Sequence, residues 1–492
     1  MSNKLYYGDN LDILPRYVAD ESVDLIYLDP PFNSNADYNI LFAEHDGTGA
    51  AAQIKAFVDT WQWDETAART YEVVVEQGGP VSQAMQAFRM LLGGSDLLAY
   101  LTMMAPRLVE LRRVLKRTGS LYLHCDATAG HYLKILMDAV FGPKNFRNEI
   151  IWYYYNKMHD RRKGLFPNAN DTILFYVKDV DSEFTFHQLK EMREQPVKQL
   201  ARKKFQGRMV NVKDAEGHVV YRMKEDRTID NVWRLPCLQP AAAEWLGYPT
   251  QKPESVLERI ILASSNEGDL LLDPFCGCGT AVAVSQRLNR RWIGIDITHL
   301  AINLIKNRMQ DAFGAKGKYE VIGEPVSVAD AEELAGTKPY QFQYWALGLV
   351  PGARPAEIKK GADKGIDGRL YFHDEGESGQ TKQVIFSVKA GQLHAPYIRD
   401  LRGVIDREKA EIGVLISMQP PTQPMRAEAA SAGFYDSPWG TRHPRLQLLT
   451  VEELLTGKKV DMPPTGDLRT FKKARKAGTK PAATRKLFDK KS

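Results

Sequence analysis

Two short stretches of this 492-residue chain hold residue types in an order that chemistry can use. The first, Asp29-Pro30-Pro31-Phe32, follows the apolar run Val23 to Leu28. A carboxylate beside a proline carbonyl offers two acceptors for the two N–H donors of an amino group. An exocyclic amine on a heterocycle has a poorly available lone pair, and gripping both hydrogens aims that pair at an incoming carbon. The prolines fix the backbone in advance, and Phe32 presents an aromatic face on which a flat ring can stack. Taken alone, the tetrapeptide reads equally well as a proline-rich turn after a strand. The second stretch runs from Asp269 to Thr280 as Asp-Leu-Leu-Leu-Asp-Pro-Phe-Cys-Gly-Cys-Gly-Thr. It predicts a strand, a glycine turn and a helix, with Gly277 and Gly279 permitting close backbone approach to a ligand. Asp296 ends the next predicted strand, 19 residues after Gly277, where an acid can accept the hydroxyl hydrogens of a ribose.

Val282 stands where dinucleotide folds place a third glycine, so no pyrophosphate cradle is required. A nucleoside without phosphates fits, and S-adenosylmethionine answers that description. Cys276 and Cys278 are two small residues in a tight loop; without a second pair they make a poor zinc signal, and no metal is expected in this domain.

The elements that must position these residues alternate as in an α/β fold. Strands are predicted at Lys4 to Tyr7, Val23 to Leu28 and Ser120 to His124. A helix capped by Ser95 is predicted over Asp96 to Lys116 and stopped by Gly119, and another over His131 to Val140. A middle block, 152–246, breaks the pattern with Trp152-Tyr153-Tyr154-Tyr155 and basic residues such as Arg161, Arg162, Lys163, Arg202, Lys203, Lys204 and Arg208. Alternation resumes with a helix from Pro253 to Ser264, strands at Asp269 to Leu272 and Trp292 to Ile295, and helices at Thr280 to Leu288 and His299 to Ala312. Residues 1–151 and 247–325 must then complete one sheet, with Asp29 and Asp273 in a single cleft. After a Glu/Ala-rich connector, a third block spans 339–465, and a basic tail spans 466–492. From Asp467 the tail carries ten Lys/Arg against two Asp, although the whole chain is only +5. It reads either as a sequence-independent phosphate-binding segment or as a solubilising one.

The tetrapeptide and the loop together resemble the DNA amino-methyltransferase family in its permuted, beta order, in which (D/N/S)-P-P-(Y/F/W) precedes F-x-G-x-G. Here these are Asp29 to Phe32, then Phe275-Cys-Gly-Cys-Gly279. Tyr248-Pro249-Thr250-Gln251-Lys252-Pro253 resembles the family's motif just before the loop, with Tyr248 in place of the usual His. The resemblance implies a Rossmann-like, S-adenosylmethionine-dependent methyltransferase sheet acting on double-stranded DNA. It places Asp29, Pro30, Pro31 and Phe32 at the reaction. Around the cofactor it places Thr250 and Lys252 (methionine end), Asp9 (adenine ring), Asp273, Phe275, Gly277, Gly279, Thr280 and Asp296. It makes 152–246 a target-recognition insertion. Asp at position 29 implies adenine N6 rather than cytosine N4, where Ser is usual.

In the third block, Gly361-Ala-Asp-Lys-Gly-Ile-Asp367-Gly followed by Val384-Ile-Phe-Ser-Val-Lys389 resembles the PD-(D/E)xK nuclease fold. Asp367 and Lys389 match that pattern, while Ser387 replaces a carboxylate and is a poor Mg²⁺ ligand. Asp363 and Asp374 are the acids that could compensate. An active nuclease would make the chain a bifunctional restriction–modification enzyme with Mg²⁺ in this domain; otherwise the domain is a DNA-binding module. The four cysteines are too few for a disulfide scaffold, and no apolar run approaches the roughly 20 residues of a membrane span. A cytoplasmic protein is expected, and a homodimer is left open.

Overall fold

A computed structural model of the chain describes residues 2–31, 62–157, 164, 166–205, 207–246, 248, 250–356, 365–374 and 381–463. Phe32, Arg161 to Lys163, Asp363 and the basic tail lie outside these described residues.

The chain opens with β1 (Asn3–Tyr7), α1 (Asn10–Tyr17) and β2 (Val23–Leu28). Helices α2 (Glu65–Glu76), α3 (Gly79–Leu92) and α4 (Asp96–Val114) follow. Next come β3 (Leu115–Cys125), α5 (Gly130–Phe141), β4 (Phe146–Tyr153) and β5 (Asn170–Val177). β6 (Lys190–Leu200), β7 (Arg202–Phe205), β8 (Arg208–Asn211) and β9 (Tyr221–Thr228) form two ladders, β6 with β9 and β7 with β8. β10 (Val232–Arg234), α6 (Glu254–Ser264), β11 (Leu270–Asp273), α7 (Thr280–Arg287), β12 (Arg291–Asp296), α8 (His299–Phe313) and β13 (Tyr319–Ile322) complete the unit.

Its sheet has nine strands in the order β10-β4-β5-β3-β2-β11-β12-β1-β13. β2 lies between β3 and β11, parallel to both, and Val23, Leu25, Ile26, Tyr27 and Leu28 are buried. A strand covered on both faces is apolar almost throughout, which is why β2 and β11 read so clearly in the sequence. β1 and β2 are consecutive strands, yet two later strands, β11 and β12, sit between them. From β2 the chain winds toward β3; from β11 it winds toward β12. The winding direction therefore reverses between β2 and β11, and open α/β sheets bind ligands at such a reversal, beyond the carboxyl ends of the strands. Asp29 and Asp273 flank that point.

Two expectations are corrected. The helix predicted to Lys116 ends at Val114, where Leu115 turns extended (φ −71°, ψ 133°) and pairs with Val23. Gly119 lies inside β3: a Cβ there would stand 2.6 Å from the Leu115 side chain and 3.0 Å from the Asp24 carbonyl. Its role is close packing against β2, not helix termination. The block expected as an insertion also starts later than residue 152. β4 and β5 form an antiparallel extension of the main sheet beside β3, and β10 pairs with β4. The part that leaves the sheet is the pair of hairpin ladders.

A second sheet begins with β14 (Arg354–Pro355), β15 (Gly368–Phe372) and β16 (Lys382–Lys389), then crosses through the helix Pro396–Glu408 to β17 (Ile412–Ser417) and the strand Leu446–Thr450. The Glu/Ala-rich connector is itself helical, α9 (Val328–Thr337), and is followed by α10 (Pro339–Gly348). Ser327 and Asp330 close a capping box at its start, and Ala331 and Leu334 enter the C-terminal core. α10 also lies on α8: Asn303 donates to the Tyr344 carbonyl at 2.6 Å. A Cβ on Gly348 would stand 2.2 Å from Asn303 Oδ1, so only glycine permits that approach. No helix among the described residues is long and apolar enough to cross a membrane.

Candidate active site

The strand ends at the winding reversal open into a cavity of about 700 Å³, within the usual range for small-molecule sites. Its walls include Asp29, Pro30 and Pro31 from the turn after β2, with Thr250 and Lys252 from the segment before α6. Asp273, Phe275, Gly277 and Thr280 from the turn after β11, and Asp296 from the end of β12, complete the set. Residues distant in sequence thus meet because the strands that carry them run parallel and end together.

Asp29 is the centre of this arrangement. Its Oδ2 receives the Lys252 ammonium at 2.5 Å. Its Oδ1 is buried and has no hydrogen-bond partner among the described residues. A buried acceptor without a donor costs about 1–3 kcal/mol, so the site is arranged for a donor that arrives with the substrate.

Asp296 holds the glycine turn. Its Oδ2 accepts the Gly277 N–H at 2.9 Å, and its Oδ1 accepts the Thr298 N–H at 3.0 Å and hydroxyl at 2.9 Å. Burial pushes its carboxyl up to about 6. Asp273 is buried nearby and accepts the Phe275 N–H. Burial, and then the neighbouring Asp29 and Asp296, push Asp273 well above the ordinary carboxylate range. Asp29, Asp126, Asp171 and Asp296 line the cavity with Asp273, against the two ammonium groups of Lys157 and Lys252, so even with Asp273 neutral the cleft's charge favours a cationic ligand.

The two glycines serve different ends. Gly277 has φ +49° and faces Tyr248, whose ring carbon would lie 3.3 Å from an added Cβ. Gly279 does not line the cavity; it has φ +73°, and a Cβ would stand 2.7 Å from Ile305 Cγ1 on α8. Its smallness seats the start of α7 on α8. Asp9 is also outside the lining. It caps α1 by accepting the Leu11 N–H at 2.8 Å and is gripped through both oxygens by Arg107 at 2.8 Å. Burial pushes the Cys276 and Cys278 thiols up.

Sequence reasoning missed a group behind Asp29. His124, at the end of β3, is fully buried. Its Nδ1 is 3.1 Å from the Tyr27 hydroxyl and 4.0 Å from Asp29 Oδ1, and its Nε2 is 3.2 Å from Asp171 Oδ2. Tyr154 donates to the other Asp171 oxygen at 3.3 Å, and Trp152 packs edge-on to the His124 ring. The only local signal was a histidine in the otherwise apolar run Leu121 to Cys125. Trp152 and Tyr154, from the aromatic run of the block expected to recognise the target, are buried walls of the cavity; Tyr155 is half exposed.

In the C-terminal unit, Asp367 Oδ1 accepts the Gln343 amide at 2.6 Å and Oδ2 accepts the Val388 N–H at 2.6 Å. Ser387 is buried, and the Lys389 ammonium sits 5.0 Å from the centre of the Tyr397 ring. Asp374 lies past the other end of β15, roughly 20 Å along the strand direction. It is buried and engaged by Lys382 at 2.7 Å, Tyr435 at 2.5 Å and Ser437 at 2.9 Å. Among the described residues, Asp367 already accepts an N–H on each oxygen and Ser387 puts a hydroxyl in the second ligand position, which makes a poor donor set for Mg²⁺.

Residues 23–307 match the profile of a family described as DNA methylase. Residues 354–456 match one described as NACHT-associated inactive Restriction Endonuclease 1. The Type II methyltransferase M.HpaI of Haemophilus parainfluenzae is 33% identical over 206 residues, covering 42% of this chain and 58% of its own length. The DNA adenine methyltransferase YhdJ of Escherichia coli K12 is 27% identical over 308 residues, covering 63% of this chain and 83% of its own. Among solved structures, the M1.HpyAVI–SAM complex aligns over 60% of this chain and 92% of its own, at 16% identity and a TM-score of 0.33.

Proposed function

The chain belongs to the DNA methylase family, and from that premise we propose that it transfers a methyl group from S-adenosylmethionine to adenine N6 in double-stranded DNA. The observation that carries this reading is the buried Oδ1 of Asp29, without a partner among the described residues, in the cavity that Asp273, Gly277 and Asp296 also line. Aspartate at this position, and a relative named as an adenine methyltransferase, favour adenine over cytosine.

The cleft fits the cofactor by charge and by shape. S-adenosylmethionine, when bound, supplies an electrophilic methyl group on a cationic sulfur. Asp29 and Asp296 suit a cation, Lys252 suits a carboxylate, and the cavity is large enough for a nucleoside with an amino-acid tail. Asp296 keeps lone pairs for ribose hydroxyls while it steadies Gly277. Asp29 Oδ1 and the Pro30 carbonyl accept one amine hydrogen each, so the nitrogen lone pair is directed rather than delocalised into the ring. Phe32, by its place in the tetrapeptide, supplies the stacking face; stacking of roughly 1–3 kcal/mol helps to offset a flipping cost of a few kcal/mol.

Phosphate contacts are assigned to the exposed ladder β7–β8, where Arg202, Lys203, Lys204 and Arg208 all face solvent. Such contacts position the duplex without reading its sequence. The C-terminal unit is assigned to DNA binding without cleavage, because its donor set does not suit the metal. The test is transfer of labelled methyl groups to DNA by the wild-type chain, with the modified base identified by digestion and mass spectrometry. N6-methyladenine supports the assignment; label in cytosine, or none, rejects it.

A further inference from the structure

We propose that His124, braced by Asp171 and Tyr27, is the positioning residue behind Asp29 and the final acceptor of the proton that the amine sheds. The inference rests on the amino-methyltransferase reading and deepens it at the same site.

When the amine nitrogen bonds to the methyl carbon, the carbon–sulfur bond breaks and sulfur keeps its electron pair. The nitrogen then carries one proton too many. Asp29 Oδ1 already accepts that hydrogen and takes the proton, becoming a neutral acid. Asp29 must become a carboxylate again before it can grip another amine. The fold offers a second acceptor: Nδ1 of His124 lies 4.0 Å from Asp29 Oδ1, and an approach of about 1 Å brings the pair to hydrogen-bond distance. Nδ1 takes the proton on its ring lone pair, Asp29 returns to a carboxylate, and the imidazolium faces the Asp171 carboxylate across 3.2 Å. The Tyr27 hydroxyl, 3.1 Å from Nδ1, turns from donor to acceptor in that step. No other reactant is needed.

The surroundings suit that task. From β2, Tyr27 and Asp29 face the ring; from β5, Asp171; from the end of β4, Tyr154 through Asp171. Lys252, before α6, neutralises the far oxygen of Asp29 and leaves Oδ1 turned toward the histidine and the cavity. Burial works to raise the Asp171 carboxyl, but His124 together with Lys252 and Lys157 holds it below the ordinary range, so a carboxylate is present to receive the imidazolium. Trp152 and Tyr154 close the remaining side, and His124 itself is fully buried.

The test compares wild type with His124→Gln and Asp171→Asn in single-turnover methylation across pH 5 to 9, alongside equilibrium binding of S-adenosylmethionine and of DNA. His124→Gln keeps a neutral polar group but cannot take the proton. The expected result is a loss of about 10²-fold in the methyl-transfer rate, with both binding constants essentially unchanged and the acid limb of the pH–rate profile abolished. Asp171→Asn should slow transfer and move the acid limb to lower pH, because the imidazolium loses its carboxylate. An unchanged rate and profile in His124→Gln overturns the proposal. So does a loss that appears only in binding or folding. If His124→Gln does not fold, an unmoved acid limb in Asp171→Asn overturns it equally. Failure of the underlying reading looks different: wild type itself would transfer no methyl group to DNA.

Discussion

Replacing Gly279 with alanine should damage the cofactor turn through a contact with α8 rather than through the cavity. Two costs follow from the geometry. At φ +73° an alanine pays the left-handed penalty, about 1–2 kcal/mol. Its Cβ would also stand 2.7 Å from Ile305 Cγ1, and overpacking of a closed core costs about 1–3 kcal/mol more. The expected loss is therefore about 2–5 kcal/mol, read as a lower urea midpoint with an unchanged slope. Gly277→Ala is the control. It carries the backbone penalty at φ +49° but meets only Tyr248 at 3.3 Å, and should lose about 1–2 kcal/mol while weakening cofactor binding more directly. Ile305→Ala removes Cγ1 and leaves a cavity, costing about 2–5 kcal/mol alone. In the double mutant Gly279→Ala/Ile305→Ala the clash disappears, so the two losses should add to less than their sum by at least about 1 kcal/mol. Strict additivity, or a Gly279→Ala protein no less stable than Gly277→Ala, would refute this account of the turn.

Other expectations concern charge and partners. With the Asp296 carboxyl raised to about 6 by burial, the folded chain favours its protonated form below that pH, and a cationic ligand favours the ionised form. S-adenosylmethionine affinity, measured by titration calorimetry, should thus be level above pH 7 and weaken by up to about tenfold per pH unit below 6; affinity rising on acidification would contradict the role given to the carboxylates. Changing Arg202, Lys203, Lys204 and Arg208 to alanine should weaken DNA binding and flatten its salt dependence by up to about 3–4 in log–log slope, without altering cofactor binding; an unchanged slope would remove β7–β8 from the interface. Asp367→Ala with Lys389→Ala should leave methyl transfer intact, and wild type with Mg²⁺ should not cut DNA of any methylation state. Mg²⁺-dependent cutting lost in that pair would restore the nuclease reading.

How much was legible in sequence follows from what each element is held by. β2, β11, β12 and α6 to α8 carry their pattern locally, because strands buried on both faces are apolar throughout and helices repeat their apolar residues at helical spacing. The meeting of Asp29 with Asp273 was also legible, since a permuted order of the two motifs leaves one sheet to complete. His124 and Asp171 were not. Their pairing arises because β5 lies antiparallel beside β3, and nothing near either residue specifies that neighbour. The aromatic run was misread for a related reason: strand periodicity turns Trp152 and Tyr154 inward, and the direction depends on a sheet extension not visible locally. Ser327 and Asp330 did signal a helix start in the connector, but its apolar face is too short to stand out. At Asp367 the motif was readable, whereas the Gln343 amide that occupies it comes from α10, 24 residues earlier.

The account stands most directly on Asp29. Single-turnover transfer from labelled S-adenosylmethionine to DNA, measured for wild type and Asp29→Ala with cofactor binding followed in parallel, isolates its contribution. The prediction is a fall of about 10³-fold or more in transfer with cofactor still bound. Transfer near the wild-type rate in Asp29→Ala would contradict it.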